Sequence, residues 1–313
     1  MKDLIDVTKE NTRLFNTINI ETCSTCNRKC EFCGNAYFKR PDELMEEKTI
    51  NKIIKDLSNL KYSGRIEFQS YNEPMRDKRL PNIVETTRKL VPKSCIMFNT
   101  NGDYIKSKED IKKFYDSGLN QMEINIYDKK KDHMFKILEY CYQLKDEIGL
   151  ELGGHVYKHT KKKIIDVVDK SDYLKTGNVS VFNIDKKDKK YNLLGNNGGF
   201  LRDKLENFEP KNLDKGCTMV FRKATINWKG DMVVCCNNFE GNVLFGNVLN
   251  NTIEECWNSD LAHIYRLHLQ NKQRKYLTLC KVCNRQEGFY PHMITKVTFG
   301  NDKLDKQILN TKI

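Results

Sequence analysis

The stretch that decides the fold is INIETCSTCNRKCEFCG, which runs from Ile18 to Gly34. Its beginning alternates apolar and polar residues, and this pattern predicts a β-strand over residues 15–21. The loop that follows places Cys26, Cys30 and Cys33 in the spacing C-x3-C-x2-C. Three thiolates can hold three irons of a [4Fe–4S] cluster and leave the fourth iron open for another ligand. The spacing therefore predicts a cluster site directly after the first strand.

Helix and strand patterns alternate along the next 150 residues or so. Strands are predicted over 65–70, 95–98, 122–126, 150–157 and 178–183, and helices over 47–60, 79–91, 107–117, 131–147 and 161–170. Such alternation implies parallel βαβ units. We predict an α/β fold over 1–185, a partial (β/α)6 barrel whose site lies at the C-terminal ends of the strands. Residues 186–216 are polar and predict a linker into a smaller domain over 217–313.

Composition narrows the class of protein further. The chain has 313 residues, 12 cysteines and a formal net charge of +12. The N-terminus lacks the apolar segment of a signal peptide, and no apolar run reaches the length of a membrane span, so we expect a cytoplasmic protein. Cytosolic thiols stay reduced, which favours metal or catalytic cysteines over disulfides. The lysine runs indicate either solvated surface or attraction to an anionic small-molecule substrate. They lack the interleaved aromatics of a nucleic-acid site.

The C-x3-C-x2-C loop resembles that of the radical S-adenosylmethionine (SAM) superfamily. The resemblance implies that the open iron binds SAM and that an electron cleaves it to a 5′-deoxyadenosyl radical, which takes hydrogen from a substrate. It also implies an electron donor such as flavodoxin or ferredoxin. A structural zinc loop is the alternative, although zinc usually takes four paired ligands. Cys23 lies just upstream of the motif and is interpreted as a bystander.

Further segments match that superfamily in chain order. Tyr71-Asn72-Glu73-Pro74 resembles its Gly-Gly-Glu-Pro motif with both glycines replaced, and the resemblance implies that Glu73 holds the amino group of SAM. A carboxylate facing an ammonium group is chemically sound. The resemblance also implies SAM contacts at Phe32, at Asn99-Thr100-Asn101 and at Asn125.

A second cysteine group lies in the C-terminal third. Cys217, Cys235, Cys280 and Cys283 follow C-x12-G-x4-C…C-x2-C, which resembles the SPASM/twitch extension of radical SAM enzymes. The pattern ends at Cys283, so the resemblance implies the short twitch form with one auxiliary [4Fe–4S] cluster. Four protein thiolates would close that cluster to other ligands and suit it to electron transfer. A zinc site on the same four cysteines stays open as an alternative.

The resemblance extends to alcohol-oxidising members of the superfamily, and it implies oxidation of a sugar or cyclitol with the electron passed to the auxiliary cluster. The two positions expected to face the substrate, Asn197 and Asn237, depart from those members, which carry charged residues there. Cys236 is a candidate hydrogen donor for the alternative of an epimerase. The remaining alternatives are a peptide-modifying radical SAM enzyme and a non-enzymatic zinc or iron–sulfur protein.

Overall fold

The structure is a computed structural model that describes residues 14–126, 131–153, 178–183, 197–201, 213–284 and 309. Its strands are β1 Thr17–Ile20, β2 Arg65–Glu67, β3 Cys95–Thr100, β4 Gln121–Ile126, β5 Glu151–Gly153, β6 Asn178–Asn183, β7 Lys223–Ile226, β8 Asp231–Val233 and β9 Leu244–Asn247. Its helices are α1 Glu47–Asn59, α2 Leu80–Leu90, α3 Glu109–Asp116, α4 Lys131–Ile148, α5 Met219–Arg222, α6 Ile253–Trp257 and α7 Asp260–Gln270.

Residue contacts divide the chain into two compact units. We call Ile20–Asn27 with Pro41–Leu194 the barrel unit, and Met1–Asn19, Arg28–Arg40 and Gly195–Ile313 the C-terminal unit. The cysteine loop is thus shared between them, because Cys26 belongs to the barrel unit and Cys30 and Cys33 belong to the C-terminal unit. The domain boundaries 1–185, 186–216 and 217–313 remain sequence-based predictions.

The barrel unit is built on a parallel sheet in the order β5-β6-β4-β3-β2. The registers pair Arg65 with Cys95 between β2 and β3, and Thr100 with Ile124 between β3 and β4. β6 lies between β4 and β5, so the last strands are not in chain order. Within the described residues, β6 pairs with β4 over Gln121–Ile126 and with β5 over Glu151–Gly153. The predicted parallel α/β core is confirmed, and the predicted helix over 161–170 lies outside the described residues.

Helical spacing of apolar residues explains how the barrel unit covers its sheet. In α1 the residues Ile50, Ile53, Ile54 and Leu57 recur every three or four positions, and all four are buried. This periodicity creates one apolar face, and a fully buried aliphatic side chain contributes roughly 1.5–3 kcal/mol. The core thereby fixes the strand ends from which the site loops leave.

No helix within the described ranges has the length and apolar character that a bilayer crossing requires.

The C-terminal unit contains strands in the order β1-β7-β8-β9, with β7, β8 and β9 antiparallel. Gly230, at a φ of +84°, closes the turn from β7 to β8, a conformation that glycine adopts at little cost. Helix α6 begins with a capping box in which Thr252 and Glu255 bond each other's backbone N–H groups. Cys256 in α6 is buried, as are Cys95 in β3 and Cys141 in α4, so these three cysteines are core residues.

Candidate active site

Three loops of the barrel unit converge where its strands end. They are the segment Thr25–Asn27, the turn after β2 and the turn after β3. The backbone N–H of Glu73 donates to the Thr25 carbonyl at 3.1 Å, which joins the first two loops. The Glu73 side chain joins the second to the third. The carboxyl ends of parallel strands are the expected place for a site in such a sheet.

Glu73 is the centre of this arrangement. Its carboxylate accepts hydrogen bonds from the Thr100 hydroxyl at 2.6 Å, from the Asn101 N–H at 2.9 Å and from the Met75 N–H at 3.1 Å. Only 2% of Glu73 is exposed. Burial raises the pKa of its carboxyl group, and the three donated hydrogen bonds oppose that rise. Glu73 therefore fixes the Thr100–Asn101 turn relative to the loop after β2.

Asn101 connects this turn to the first cysteine of the motif. Its side-chain N–H group lies 3.6 Å from Cys26 Sγ and 2.9 Å from Asn27 Oδ1. Asn27 in turn donates to Asp103 at 2.7 Å, and Asp103 N–H returns a bond of 2.9 Å to Asn101 Oδ1. Sequence reasoning assigned no role to Asn27 or Asp103. Their only signal was position, because Asn27 follows Cys26 and Asp103 follows the Asn101-Gly102 turn.

Cys23 occupies a different environment from that of Cys26. It is fully buried, and its Sγ lies 3.6 Å from the Glu73 carbonyl and 3.8 Å from Asn72 Nδ2. Burial raises the pKa of its thiol to about 12. Cys26, Cys30 and Cys33 are all half-buried. The interpretation of Cys23 as a bystander to the cluster motif is consistent with this burial.

The other residues predicted to contact SAM in the barrel unit differ in their burial and in their hydrogen bonds. Tyr71 is half-buried, and its N–H donates to Glu21 Oε1 at 2.8 Å, whereas the side chain of Asn72 is buried and accepts from Ser70 N–H at 2.9 Å. Asn99 presents a buried side-chain oxygen that, among the described residues, accepts no hydrogen bond. Asn125 follows Ile124, the register partner of Thr100, at the end of β4. Asn99 thus retains an acceptor that a bound ligand could use.

In the C-terminal unit, the loop that carries Cys30 and Cys33 is held by aromatic packing. The Cys33 N–H donates to the Cys30 carbonyl at 2.9 Å, which forms a turn. The ring of Phe239 packs over Gly34, where an added Cβ would lie 2.6 Å from ring atoms, and it meets Phe200 at a centroid distance of 4.7 Å. Arg40 is buried, and its guanidinium lies 4.1 Å from the ring centroid of Trp228.

Cys217, Cys235, Cys280 and Cys283 come together in the same unit. Burial raises the pKa of the Cys235 and Cys280 thiols, and the pKa of each is raised further by neighbouring cysteines of this group. Within the described part of the chain, no three His, Cys, Asp or Glu side chains are placed to hold a single metal ion. Cys236, next to Cys235, is half-buried.

The turn Asn197-Gly198-Gly199 packs against two of these cysteine segments. A Cβ at Gly198 would lie 2.5 Å from the Asn237 carbonyl oxygen, and one at Gly199 would lie 2.5 Å from a methyl group of Val282. Both glycines have positive φ angles, so close approach and backbone conformation both require glycine there. Asn197 is 9% exposed and donates from Nδ2 to the Phe32 carbonyl at 3.2 Å.

Asn197 offers a test of this packing role. Its φ of +52° suits asparagine or glycine but strains alanine. We expect Asn197→Gly to lower the free energy of unfolding by about 1 kcal/mol through the lost hydrogen bond. Asn197→Ala should cost about 2 kcal/mol, because it adds backbone strain. Urea titration followed by circular dichroism measures both values, and equal losses would contradict the packing role.

Comparisons with known proteins agree with this fold. The family model of the Radical SAM superfamily matches residues 20–170, and that of SPASM, an iron–sulfur cluster-binding domain, matches residues 217–284. The chain belongs to the radical SAM superfamily and is an enzyme of that class with a C-terminal SPASM domain. SAM and iron–sulfur clusters are accordingly its cofactors, as predicted.

The chain also resembles particular members of the superfamily. It is 26% identical over 273 residues to the S-adenosyl-L-methionine-dependent 2-deoxy-scyllo-inosamine dehydrogenase of Niallia circulans, covering 87% of this chain and 94% of that enzyme. The crystal structure of BtrN in complex with AdoMet and 2-DOIA superposes with a TM-score of 0.67 at 23% identity, covering 90% of this chain and 98% of BtrN. The structure of native anSMEcpe with bound AdoMet superposes with a TM-score of 0.51 at 16% identity, covering 94% of this chain and 95% of anSMEcpe.

Proposed function

We propose that this chain is a radical SAM dehydrogenase that oxidises a secondary alcohol of a cyclitol or similar polar small molecule. In this proposal Cys26, Cys30 and Cys33 hold the SAM-binding cluster, and the four cysteines of the C-terminal unit hold one auxiliary cluster. The observation that carries the proposal is the convergence of Cys217, Cys235, Cys280 and Cys283. A second cluster provides an acceptor for the electron that oxidation releases. The dehydrogenase of Niallia circulans, 26% identical, supports the same reaction class.

The reaction balances without an external oxidant. When bound, the two clusters would supply one-electron chemistry, with one electron given to SAM and one electron accepted in return. The carbinol hydrogen moves to C5′ of the adenosyl group as the C5′–S bond of SAM breaks, and the hydroxyl proton leaves to solvent or a base. The products are a ketone, methionine, 5′-deoxyadenosine and one proton. The alcohol loses two electrons, and cleavage of the carbon–sulfur bond consumes two.

The residues of the barrel unit suit the binding of SAM beside Cys26. Asn101 donates toward Cys26 Sγ, and hydrogen bonds to cluster sulfurs are one determinant of reduction potential. Asn99 provides a free carbonyl oxygen for a donor group of SAM. Tyr71, Asn72, Thr100 and Asn125 remain proposed contacts in the same unit, and Phe32 remains one in the C-terminal unit.

Glu73 has a different role in this proposal from the one its motif suggests. Its carboxylate already accepts three internal hydrogen bonds and is almost fully buried. We therefore place it as a positioning residue that orients Thr100 and Asn101. Contact of its carboxylate with the amino group of SAM remains a prediction of the motif.

We assign an iron–sulfur cluster rather than zinc to the C-terminal cysteines. The family model of an iron–sulfur cluster-binding domain matches residues 217–284, which include all four of them. Zinc has no redox chemistry, so a zinc site on these thiolates would not accept the electron that oxidation releases.

Two asparagines, Asn197 and Asn237, bear on the identity of the substrate. Asn197 donates to the Phe32 carbonyl, and the Asn237 carbonyl packs on Gly198, so both positions have structural contacts in addition to any contact with substrate. We propose a substrate other than 2-deoxy-scyllo-inosamine but of similar polarity, and the net charge of +12 favours an anionic one. A flavodoxin or ferredoxin in the cytoplasm is the proposed electron donor, because reducing compartments preserve cluster thiolates.

Deuterium transfer tests the proposal. A panel of aminocyclitols and phosphorylated sugars, each deuterated at one carbinol carbon, is incubated with reconstituted enzyme, SAM and dithionite. We expect one deuterium in 5′-deoxyadenosine for each ketone formed, as measured by mass spectrometry. An inverted alcohol that carries solvent hydrogen would instead indicate epimerisation, with Cys236 as the candidate donor. Cleavage of SAM with no change in any member of the panel would contradict the substrate class.

A further inference from the structure

Arg274 is buried beside the C-terminal cysteine group. It lies in a short 3-10 turn, Arg274–Tyr276, and 2% of it is exposed. Its Nη2 donates to the carbonyl oxygen of Cys283 at 2.7 Å and toward that of Cys280 at 3.4 Å. One guanidinium thus contacts the backbone of both cysteines in the C-x2-C segment.

Backbone hydrogen bonds already hold the C-x2-C segment in a turn. The Cys283 N–H donates to the Cys280 carbonyl at 3.4 Å, and the Lys281 N–H donates to the Leu277 carbonyl at 2.9 Å. A neutral side chain could complete such a turn. A buried guanidinium is an expensive choice, since removing an ion from water costs several kcal/mol unless a counter-charge compensates. The hydrogen bonds of Arg274 place this positive charge beside two of the four cysteines that are proposed to hold an anionic cluster.

We propose that Arg274 is a positioning residue that also raises the reduction potential of the auxiliary cluster, so that the cluster can accept an electron from the oxidised substrate. This inference rests on the proposed function, because it requires a cluster on Cys217, Cys235, Cys280 and Cys283. A cluster bound by four thiolates is anionic, and reduction adds one more negative charge. A fixed cation in a low-dielectric interior stabilises the reduced form more than the oxidised form.

Arg266 provides a matched control in the same unit. It is 3% exposed, its Nε donates to the Val220 carbonyl at 3.0 Å, and its guanidinium lies 4.1 Å from the ring centroid of Trp257. Like Arg274, it is a buried arginine that donates to a backbone carbonyl. Unlike Arg274, it has no described bond to a cysteine segment.

The test is a redox titration of the reconstituted holoenzyme, followed by electron paramagnetic resonance. We expect Arg274→Gln to retain the auxiliary irons but to lower the midpoint potential of the auxiliary cluster by more than 59 mV. A shift of 59 mV changes the equilibrium constant of a one-electron reduction tenfold. Arg274→Lys should keep most of the wild-type potential, because it keeps the charge. Arg266→Gln should leave the potential unchanged.

Three outcomes would overturn the proposal. The first is an unchanged auxiliary potential in Arg274→Gln with full iron content. The second is an equal shift in Arg274→Gln and Arg274→Lys, which would indicate geometry rather than charge. The third outcome applies if Arg274→Gln loses the auxiliary irons, so that only Arg274→Lys can be compared with the wild type. A lowered auxiliary potential in Arg274→Lys with full iron content would then overturn the proposal. A wild-type enzyme with only one cluster signal would instead refute the auxiliary cluster itself, before any variant is compared.

Discussion

Replacing Cys280 and Cys283 together with alanine should lower the iron content from about eight to about four per chain. The cluster that remains is the one on Cys26, Cys30 and Cys33, so reductive cleavage of SAM should continue. Oxidation of the alcohol should stop, because the substrate radical loses its electron acceptor. The variant is therefore expected to form 5′-deoxyadenosine without the ketone. Iron analysis and product analysis on the same sample measure both effects.

Cys256→Ala is the control for this experiment. Cys256 is a buried cysteine of the same unit, and its Sγ packs against Gly246 rather than within the group of four. Its removal should cost some stability through the cavity that it leaves, while iron content stays near eight. Iron content that does not change in the double variant, or one zinc per chain in the wild type, would contradict the auxiliary cluster.

Replacing Glu73 with glutamine should damage both stability and SAM cleavage. The carboxylate accepts from Thr100, Asn101 and Met75, and an amide would turn a donor toward at least one of these donors. Losing buried hydrogen bonds to a charged group should cost about 3 kcal/mol of unfolding free energy. Displacement of the Asn101 turn from Cys26 should lower the rate of 5′-deoxyadenosine formation about 100-fold. Urea titration and a single-turnover assay measure the two effects.

Glu67→Gln is the matched control for this variant. Glu67 is also a buried glutamate, on β2, and its described partners are Gln69 and Arg65. The bonds described for Glu67 join it to residues on and directly after β2, so SAM cleavage should remain close to the wild-type rate. If the two variants lose activity equally, Glu73 has no special positioning role. If Glu73→Gln keeps full activity, the loop arrangement does not depend on its carboxylate.

The sequence predicted the features that depend on neighbours along the chain. Apolar spacing located α1 because Ile50, Ile53, Ile54 and Leu57 share one face. Cysteine spacing distinguished the two cysteine groups and indicated the family to which the chain belongs. Each of these signals lies within a short window, where helix period or ligand spacing determines the pattern.

Features set by long-range packing could not be predicted in this way. The position of β6 between β4 and β5 depends on pairing between strands that are far apart in the sequence. The bonds from Asn27 to Asp103 and from Asn101 to Asn27 each join residues more than 70 positions apart, and a single sequence carries no trace of such pairs. Arg274 is likewise an ordinary surface-type residue in the sequence, and only its burial beside Cys280 and Cys283 gives it a role.

The most direct test of the account is SAM cleavage by the cluster on Cys26, Cys30 and Cys33. The wild-type chain, Cys26→Ala and Cys23→Ala are reconstituted anaerobically and incubated with SAM and dithionite, and 5′-deoxyadenosine is measured. We expect its formation in the wild type and in Cys23→Ala, whose thiol is buried in internal contacts, and its loss in Cys26→Ala. Equal formation by Cys26→Ala and the wild type, or none by the wild type, would contradict the account.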